Sequence, residues 1–137
     1  MLRRDRKLEL IARVPLFAGC SKRELSRIAT LADEIDIAAG EALTREGHTG
    51  REFCVLVGGT ADVHIGKKKV RTLSGGDFFG EIALILNAPR SATVIATTAV
   101  RVLVVERRAF RSLMEQMPSI QLKVLEALAA RLADESL

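Results

Sequence analysis

The apolar positions of this chain change their spacing twice along its length. Over residues 1–32 they recur at helical spacing, and this apolar face consists of Leu8, Leu10, Ile11, Val14 and Leu16. Gly19 interrupts the face, and Ser21 followed by Glu24 has the spacing of a capping box at the start of a second helix. The pattern therefore predicts a helical entry segment over residues 1–32.

From about residue 33 to residue 106, the apolar residues alternate with polar ones. The alternating positions are Ile35, Ile37, Phe53, Val55, Val57, Ala61, Val63, Ile65, Val70 and Leu73. Glycines separate these short runs, and Gly66 with the lysines after it has the composition of an exposed hairpin tip. Short strands with regular glycine turns are typical of a β-sandwich or a jelly-roll barrel.

The last segment, residues 107–137, is helical again. Pro118 suits the first turn of a helix, where a missing N–H costs little. A stripe at three- and four-residue spacing follows, made of Leu122, Leu125, Leu128, Ala129 and Leu132. Its simplest interpretation is a helix packed on the barrel.

Composition limits the classes of protein that this chain could be. Its 137 residues suggest one domain, 1–137, and an apolar content of 48% is enough for a packed core. No apolar run reaches the roughly 18 residues of a membrane span, and no signal region follows the charged N-terminus. Cys20 and Cys54 form no Cys-x-x-Cys pair. We expect a cytoplasmic protein with reduced cysteines, no metal or cofactor, and no membrane association.

The formal net charge of +4 permits contact with nucleic acid but does not require it. Basic residues cluster near the N-terminus, at residues 67–71 and at residues 107–111, and a solvated face is the simplest interpretation of each cluster. Tyr and Trp are absent, and the five Phe residues are not interleaved with the basic runs. A base-stacking surface is therefore poorly supported, and we expect no direct nucleic-acid binding by this chain.

Residues 79–94 carry the candidate chemistry. Gly80 can adopt backbone angles that other residues resist, and it lets the backbone approach a ligand closely. The run from Glu81 to Leu86 favours a helix of one or two turns, whose first amides lack intrahelical partners and attract an anion. Pro89 ends this helix, since the residue before a proline is pushed out of the helical region. Arg90 then stands at the entry to the next strand.

Glu81 and Arg90 indicate what kind of ligand this segment would hold. The arginine fork can donate two parallel hydrogen bonds to phosphate oxygens, and Ser91 adds a neutral donor beside it. A glutamate facing a phosphate is unfavourable by itself. It makes sense if Arg90 neutralises the phosphate while Glu81 accepts a hydrogen bond from a sugar hydroxyl. The ligand that fits is small, with one negative phosphate and a sugar hydroxyl.

This segment resembles the phosphate-binding cassette of cyclic-nucleotide-binding domains. Cyclic-nucleotide-gated channels, cyclic-nucleotide-dependent kinases and catabolite-activator regulators share that cassette, and the matching residues are Gly80-Glu81-Ile82-Ala83-Leu84 and Pro89-Arg90-Ser91-Ala92-Thr93-Val94. The resemblance implies an α+β, mainly β fold. It would be an eight-stranded jelly-roll β-barrel over residues 33–106, with N-terminal helices, a short phosphate-cassette helix and C-terminal helices.

The resemblance also implies a role for each cassette residue. Glu81 would hold the ribose 2′-hydroxyl, and Arg90 would hold the cyclic phosphate. Backbone amides around Gly80, Ile82 and Ala83 would complete the phosphate cradle.

Two further positions bear on the base of the ligand. Ser91 would assist at the phosphate or at the base edge, and serine at this place is familiar in bacterial binders of cyclic AMP (cAMP). We therefore expect cAMP in preference to cyclic GMP (cGMP). Arg131 lies near where some members of the family place an arginine that contacts the base, and an exposed helix cation is the plain alternative.

The leading interpretation is a regulatory module and not an enzyme. Its ligand would shift the position of the C-terminal helix, which would report to an effector or to a second copy of the chain. The resemblance to catabolite-activator regulators implies an alternative for the leucine stripe of that helix, namely a homodimer seam. The alternatives are the ligand-sensing N-terminal part of a catabolite-activator-type DNA-binding regulator and the detached sensor of a channel. A cupin-like metal enzyme would need several converging ligands, whereas His48 and His64 are the only histidines and lie in no metal-ligand pattern.

Overall fold

The computed structural model describes residues 2–136, and the side chains of residues 2–5, Ile82, Arg131 and residues 134–136 lie outside that description. The helices are α1 (Leu2–Ala12), α2 (Lys22–Leu31), α3 (Glu81–Leu86), α4 (Arg107–Gln116) and α5 (Pro118–Ser136), and a 3-10 turn spans Pro15–Phe17. The strands are β1 (Ala32–Ile37), β2 (Ala42–Thr44), β3 (Glu52–Gly58), β4 (Ala61–Ile65), β5 (Lys68–Leu73), β6 (Phe78–Phe79), β7 (Thr93–Ala96) and β8 (Val100–Glu106).

The strands pair into two antiparallel sheets of four strands each. Their orders are β1-β8-β3-β6 and β2-β7-β4-β5, so strands that are distant in sequence lie side by side in both sheets. This mixture of helices and antiparallel sheets confirms the predicted α+β fold class. The jelly-roll path of a closed barrel stays a prediction. The first strand begins at Ala32, one residue before the expected start of the β region.

The start of α2 forms as its sequence predicts. The Ser21 hydroxyl accepts a hydrogen bond from the Glu24 backbone N–H at 3.1 Å, and the Glu24 carboxylate accepts one from the Ser21 N–H at 2.8 Å. These two bonds satisfy amide groups that have no partner inside the helix. The predicted capping box is therefore confirmed.

Strand β3 separates two hydrophobic cores. Phe53 and Val55 belong to a core shared with the helices, in which the Phe53 ring centroid lies 4.8 Å from that of Phe110. Cys54 and Leu56 belong to a second core that joins residues of both sheets. Successive strand residues point to opposite faces. The helical layer therefore covers one face of the β1-β8-β3-β6 sheet, and the other sheet covers its second face.

Helix α5 packs through a different face from the one that the leucine stripe predicts. Ile120 and Val124 are buried in the helical core, whereas Leu122, Leu125 and Leu132 are 57%, 60% and 65% exposed. The interpretation of Leu122 and Leu125 as barrel-packing residues is therefore wrong. Apolar residues occur on more than one face of this helix, so their spacing alone could not identify the buried face. Among residues 2–136, no helix has both the length and the apolar character that crossing a bilayer requires.

Candidate ligand-binding site

Gly80 forms the turn that leads from β6 into α3. It adopts left-handed backbone angles, with φ 96° and ψ −6°, as the residue that caps the helix. A Cβ atom at this position would lie 2.6 Å from Nη1 of Arg90 and 2.6 Å from the Glu52 carbonyl oxygen. Both the backbone conformation and the lack of space therefore require glycine here.

At the end of the short helix α3, the chain turns back toward the first turn of that helix. The helix ends at Asn87, which has φ 54° and ψ 43° and donates its backbone N–H to the Ala83 carbonyl. Asparagine tolerates this left-handed conformation better than most residues. Pro89 then pairs with Thr49 in an isolated β-bridge, and Arg90 follows beside the turn at Gly80.

Backbone carbonyls hold the guanidinium of Arg90, which is 9% exposed. Its Nη2 donates to the Glu52 carbonyl at 2.7 Å, and its Nη1 donates to the Gly80 carbonyl at 3.3 Å. An arginine side chain has five N–H donors, so these two bonds leave donors for an anion. Because both acceptors are main-chain atoms, the fork is oriented by the fold itself.

The loop of residues 47–52 also positions Arg90, and sequence reasoning missed it. The Arg90 backbone N–H donates to the His48 carbonyl at 2.8 Å, and the Gly47 N–H donates to the Arg90 carbonyl at 2.9 Å. Gly47 and Gly50 are recognisable in the sequence only as turn residues. The loop contacts Arg90 through backbone N–H and carbonyl groups. Its side chains therefore contain no motif that could have revealed this role.

Glu81 is 1% exposed and stands in the first turn of α3. The partial positive charge at a helix N-terminus stabilises a carboxylate in that position. Glu81 and Arg90 line the same cavity. The tertiary structure thus brings the two predicted ionisable residues to one site, although eight residues separate them in sequence.

The cavity beside α3 has a volume of about 480 Å³. Its lining includes the predicted residues Gly80, Glu81, Ala83, Arg90 and Ser91. Ser91 is exposed. The side chains of Ile82 and Arg131 lie outside the described residues, so the parts assigned to them stay predictions.

Most of the remaining wall is apolar and comes from elements outside the cassette. Val63 of β4 and Val70 of β5 form part of one side, and Leu128 and Leu132 bring α5 to the cavity. The alternating pattern predicts Val63 and Val70 to be strand residues. It cannot tell that they reach the cavity, since that depends on strand pairing.

Arg71 of β5 also lines the cavity, next to Val70. Neighbouring strand residues normally point to opposite faces. Here the ladder pairs Arg71 with Val63 and Lys69 with His64, so Val70 is the extra residue of a β-bulge. The bulge explains why Arg71, which the sequence places in a solvated basic cluster, is also part of the cavity wall.

The two cysteines are free thiols, and Cys54 lies on β3 opposite Phe79 of β6. Burial raises the pKa of the Cys54 thiol to about 12, and the Arg90 guanidinium opposes this effect. Burial, together with the charge of Glu24, also raises the pKa of Cys20. Both shifts favour the unreactive neutral thiol. Within the described residues, no three His, Cys, Asp or Glu side chains converge as a metal site would require.

Comparison with known proteins identifies the family. The model of the cyclic nucleotide-binding domain matches residues 34–117. The chain belongs to this family. The cyclic nucleotide-binding domain is 36% identical over 114 residues to a cAMP-dependent protein kinase regulatory subunit of Colletotrichum orbiculare, a match that covers 82% of this chain and 29% of the relative.

The cyclic nucleotide-binding domain also resembles a channel protein and a solved kinase regulatory domain. It is 32% identical over 126 residues to a putative potassium channel protein of Rhodopseudomonas palustris, covering 89% of this chain and 30% of the relative. It superposes on the regulatory domain of Toxoplasma gondii PKA, solved with cAMP, with a TM-score of 0.82 at 28% identity, covering 93% of this chain and 51% of the other. The chain thus spans less than a third of the length of either curated relative. The predicted resemblance to cyclic-nucleotide-binding domains is confirmed.

Proposed function

We propose that this domain is a regulatory sensor that binds a cyclic nucleotide, cAMP in preference to cGMP, and that it is not an enzyme. The observation that carries the proposal is the meeting of Arg90 and Glu81 on one cavity wall at the first turn of α3. A cyclic nucleotide carries one negative phosphate and one free ribose hydroxyl. It therefore needs one cation and one acceptor close together, and this site offers both.

Each residue of the cassette has a task in the proposed complex. Arg90 donates to the phosphate oxygens with the N–H groups that the Glu52 and Gly80 carbonyls do not use. Backbone amides around Gly80, Ile82 and Ala83 add donors at the N-terminus of α3. Glu81 accepts the hydrogen bond of the 2′-hydroxyl.

The apolar wall suits the purine ring of the ligand. Val63, Val70 and Leu132 offer contacts that bury a ring without demanding hydrogen bonds from it. The preference for cAMP is supported by two relatives, since one is the regulatory subunit of a cAMP-dependent protein kinase and the Toxoplasma gondii regulatory domain was solved with cAMP. Ser91 assists at the phosphate or at the base edge, and Arg131 remains a proposed contact to the base.

Helix α5 is the proposed output element. It contributes Leu128 and Leu132 to the cavity, so a ligand that contacts these leucines binds one position of the helix better than another. The equilibrium between helix positions moves only as far as this difference in affinity allows. The proposed mechanism is therefore a population shift that starts at the base end of the ligand.

The proposed partners follow from the surface of α5 and from the relatives. The exposed leucines Leu122 and Leu125 support a homodimer through this helix. A protein kinase is the effector that the regulatory-subunit relative favours, and an ion channel is the alternative that the Rhodopseudomonas palustris relative favours. A cytoplasmic location agrees with either effector.

Calorimetric titration of the purified, nucleotide-free domain with cAMP and with cGMP tests the proposal. We expect saturable binding that is tighter for cAMP. Linear AMP is the control ligand, because its phosphate carries more charge and its 3′-hydroxyl is free, and it should bind more weakly. Absence of binding by both cyclic nucleotides to folded protein would contradict the sensor function. Tighter binding of cGMP would contradict the base preference alone.

A further inference from the structure

We infer that Gly50 is a positioning residue whose missing side chain sets the distance between Arg90 and helix α3, and the ligand-binding part of this inference rests on the proposed function. Gly50 is buried in the loop before β3. A Cβ atom there would lie 2.5 Å from the Cβ of Ala83 and 3.1 Å from Cδ and Nε of Arg90. Gly50 therefore lies where the loop, helix α3 and the stem of Arg90 meet.

Space, and not backbone conformation, requires glycine at this position. Gly47 and Gly80 have positive φ angles of 84° and 96°, whereas Gly50 does not lie in the left-handed region. An alanine could therefore adopt the backbone of residue 50. What excludes alanine is contact, because carbon atoms pack best at about 3.5–4.0 Å. A separation of 2.5 Å would have to grow by about 1 Å.

The neighbour that would have to yield is the cassette helix. The Cβ of Ala83 is fixed to the backbone of α3 and has no rotamer to change. The stem of Arg90 is held at its far end by the carbonyls of Glu52 and Gly80. A side chain at Gly50 would thus push the first turn of α3 away from the guanidinium. Binding groups must keep their relative positions within about 0.5 Å, so a displacement of this size disrupts an anion site.

The substitution Gly50→Ala tests this role, and the same substitution at a second glycine is the control. We expect Gly50→Ala to weaken cAMP binding by about tenfold or more, since it displaces the site beyond its tolerance. Gly58→Ala is the control, because Gly58 also lacks a positive φ and a Cβ there would meet nothing within 4 Å. The affinity of Gly58→Ala for cAMP should stay within about twofold of that of the parent protein. Thermal unfolding without ligand shows that each variant is folded at the titration temperature.

A second substitution separates positioning from general destabilisation. Ala83→Gly removes the atom that the new Cβ would strike. The double variant Gly50→Ala/Ala83→Gly should therefore bind cAMP nearly as well as Ala83→Gly alone. Residues in contact show such non-additivity, whereas a glycine that only stabilises the loop would not be rescued. Additive losses, or a folded Gly50→Ala with unchanged affinity, would overturn the inference.

The Nε–Hε resonance of Arg90 gives a measurement that needs no nucleotide. Heteronuclear NMR identifies this resonance by its disappearance in Arg90→Ala. It should shift in Gly50→Ala, stay in place in Gly58→Ala and return in the double variant. An unmoved resonance in Gly50→Ala would refute the positioning role. If the parent protein bound no cyclic nucleotide, the proposed function would be wrong. The Arg90 resonance would still show whether Gly50 positions Arg90.

Discussion

Arg90 shows how a single side chain can be both part of the fold and available to a ligand. The carbonyls of Glu52 and Gly80 orient its guanidinium, and the two bonds leave other donors of the fork unused. Fixing the arginine in this way removes some of the ordering cost that binding would otherwise include. In the proposed complex, the buried Glu81 accepts the hydrogen bond of the ribose hydroxyl.

Arg90→Ala should weaken cAMP binding by about tenfold to over a hundredfold, because a charge-assisted hydrogen bond contributes roughly 1.5–3 kcal/mol. Calorimetric titration measures this change. Arg51→Ala is the matched control, since Arg51 is an exposed cation near the site that does not line the cavity. If folded Arg90→Ala bound as tightly as the parent, the assignment of the phosphate contact would be wrong.

Glu81→Gln should weaken binding less than Arg90→Ala, and mainly for ligands that keep the 2′-hydroxyl. The amide retains an acceptor but loses the negative charge that strengthens the hydrogen bond. Titration of parent and variant with cAMP and with 2′-deoxy-cAMP measures the difference. Equal losses for the two ligands would argue against a ribose contact.

The thiol of Cys54 should resist alkylation until the protein unfolds. Its raised pKa of about 12 keeps it neutral, and its burial blocks the reagent. At about pH 8, mass spectrometry after iodoacetamide treatment should find Cys20 modified before Cys54, with both modified in denaturant. The folded pKa exceeds the unfolded value of 9.0, so this group should reduce stability as pH rises from 9.0 toward 12. Rapid labelling of Cys54 in the folded protein would contradict this account.

At the scale of elements, the site depends on how strands and helices meet. The bulge at Val70 turns both Val70 and Arg71 toward the cavity, and α5 closes on it with Leu128 and Leu132. Both elements lie outside the cassette of residues 79–94. In the proposed function, they connect the base end of the ligand to the output helix α5.

Leu132→Ala should weaken cAMP binding by about three- to tenfold, because partial burial of a leucine against the base contributes roughly 1 kcal/mol. Leu125→Ala is the matched control. Leu125 and Leu132 are similarly exposed, at 60% and 65%, but only Leu132 lines the cavity. Titration of both variants measures the effect. Equal affinities of the two variants would remove Leu132 from the proposed site.

At the scale of the whole molecule, two cores hold the domain together, and apolar side chains of α5 stay exposed. The helical core and the core between the sheets account for the buried faces of β3 and β8. Leu122 and Leu125 belong to neither core and remain exposed on α5. Exposed leucines in helical register favour association with another apolar helix.

Leu122→Glu/Leu125→Glu should abolish self-association. Sedimentation velocity over a range of concentrations should show a dimer for the parent and a monomer for the double variant, because two buried charges oppose pairing. Ile35→Glu, on the exposed strand β1, is the control and should leave the dimer intact. A parent protein that stays monomeric at every concentration would rule out the proposed dimer.

The sequence by itself determined the local structure of the domain and the chemistry of its cassette. The capping box at Ser21 and the helix that ends before Pro89 follow from short-range rules, in which neighbouring residues decide the outcome. Glu81, Arg90 and Ser91 could be named because their residue types match one phosphate and one hydroxyl.

Only the tertiary structure decided which distant residues complete the site. No side-chain motif reveals the carbonyl of Glu52 or the space at Gly50. The first is a backbone group, and the second is the absence of a side chain. The choice of the buried face of α5 depended on packing, since both of its faces contain leucine or other apolar residues. Arg71 reached the cavity through a bulge that arises from strand pairing between β4 and β5, a long-range property that a linear pattern does not contain.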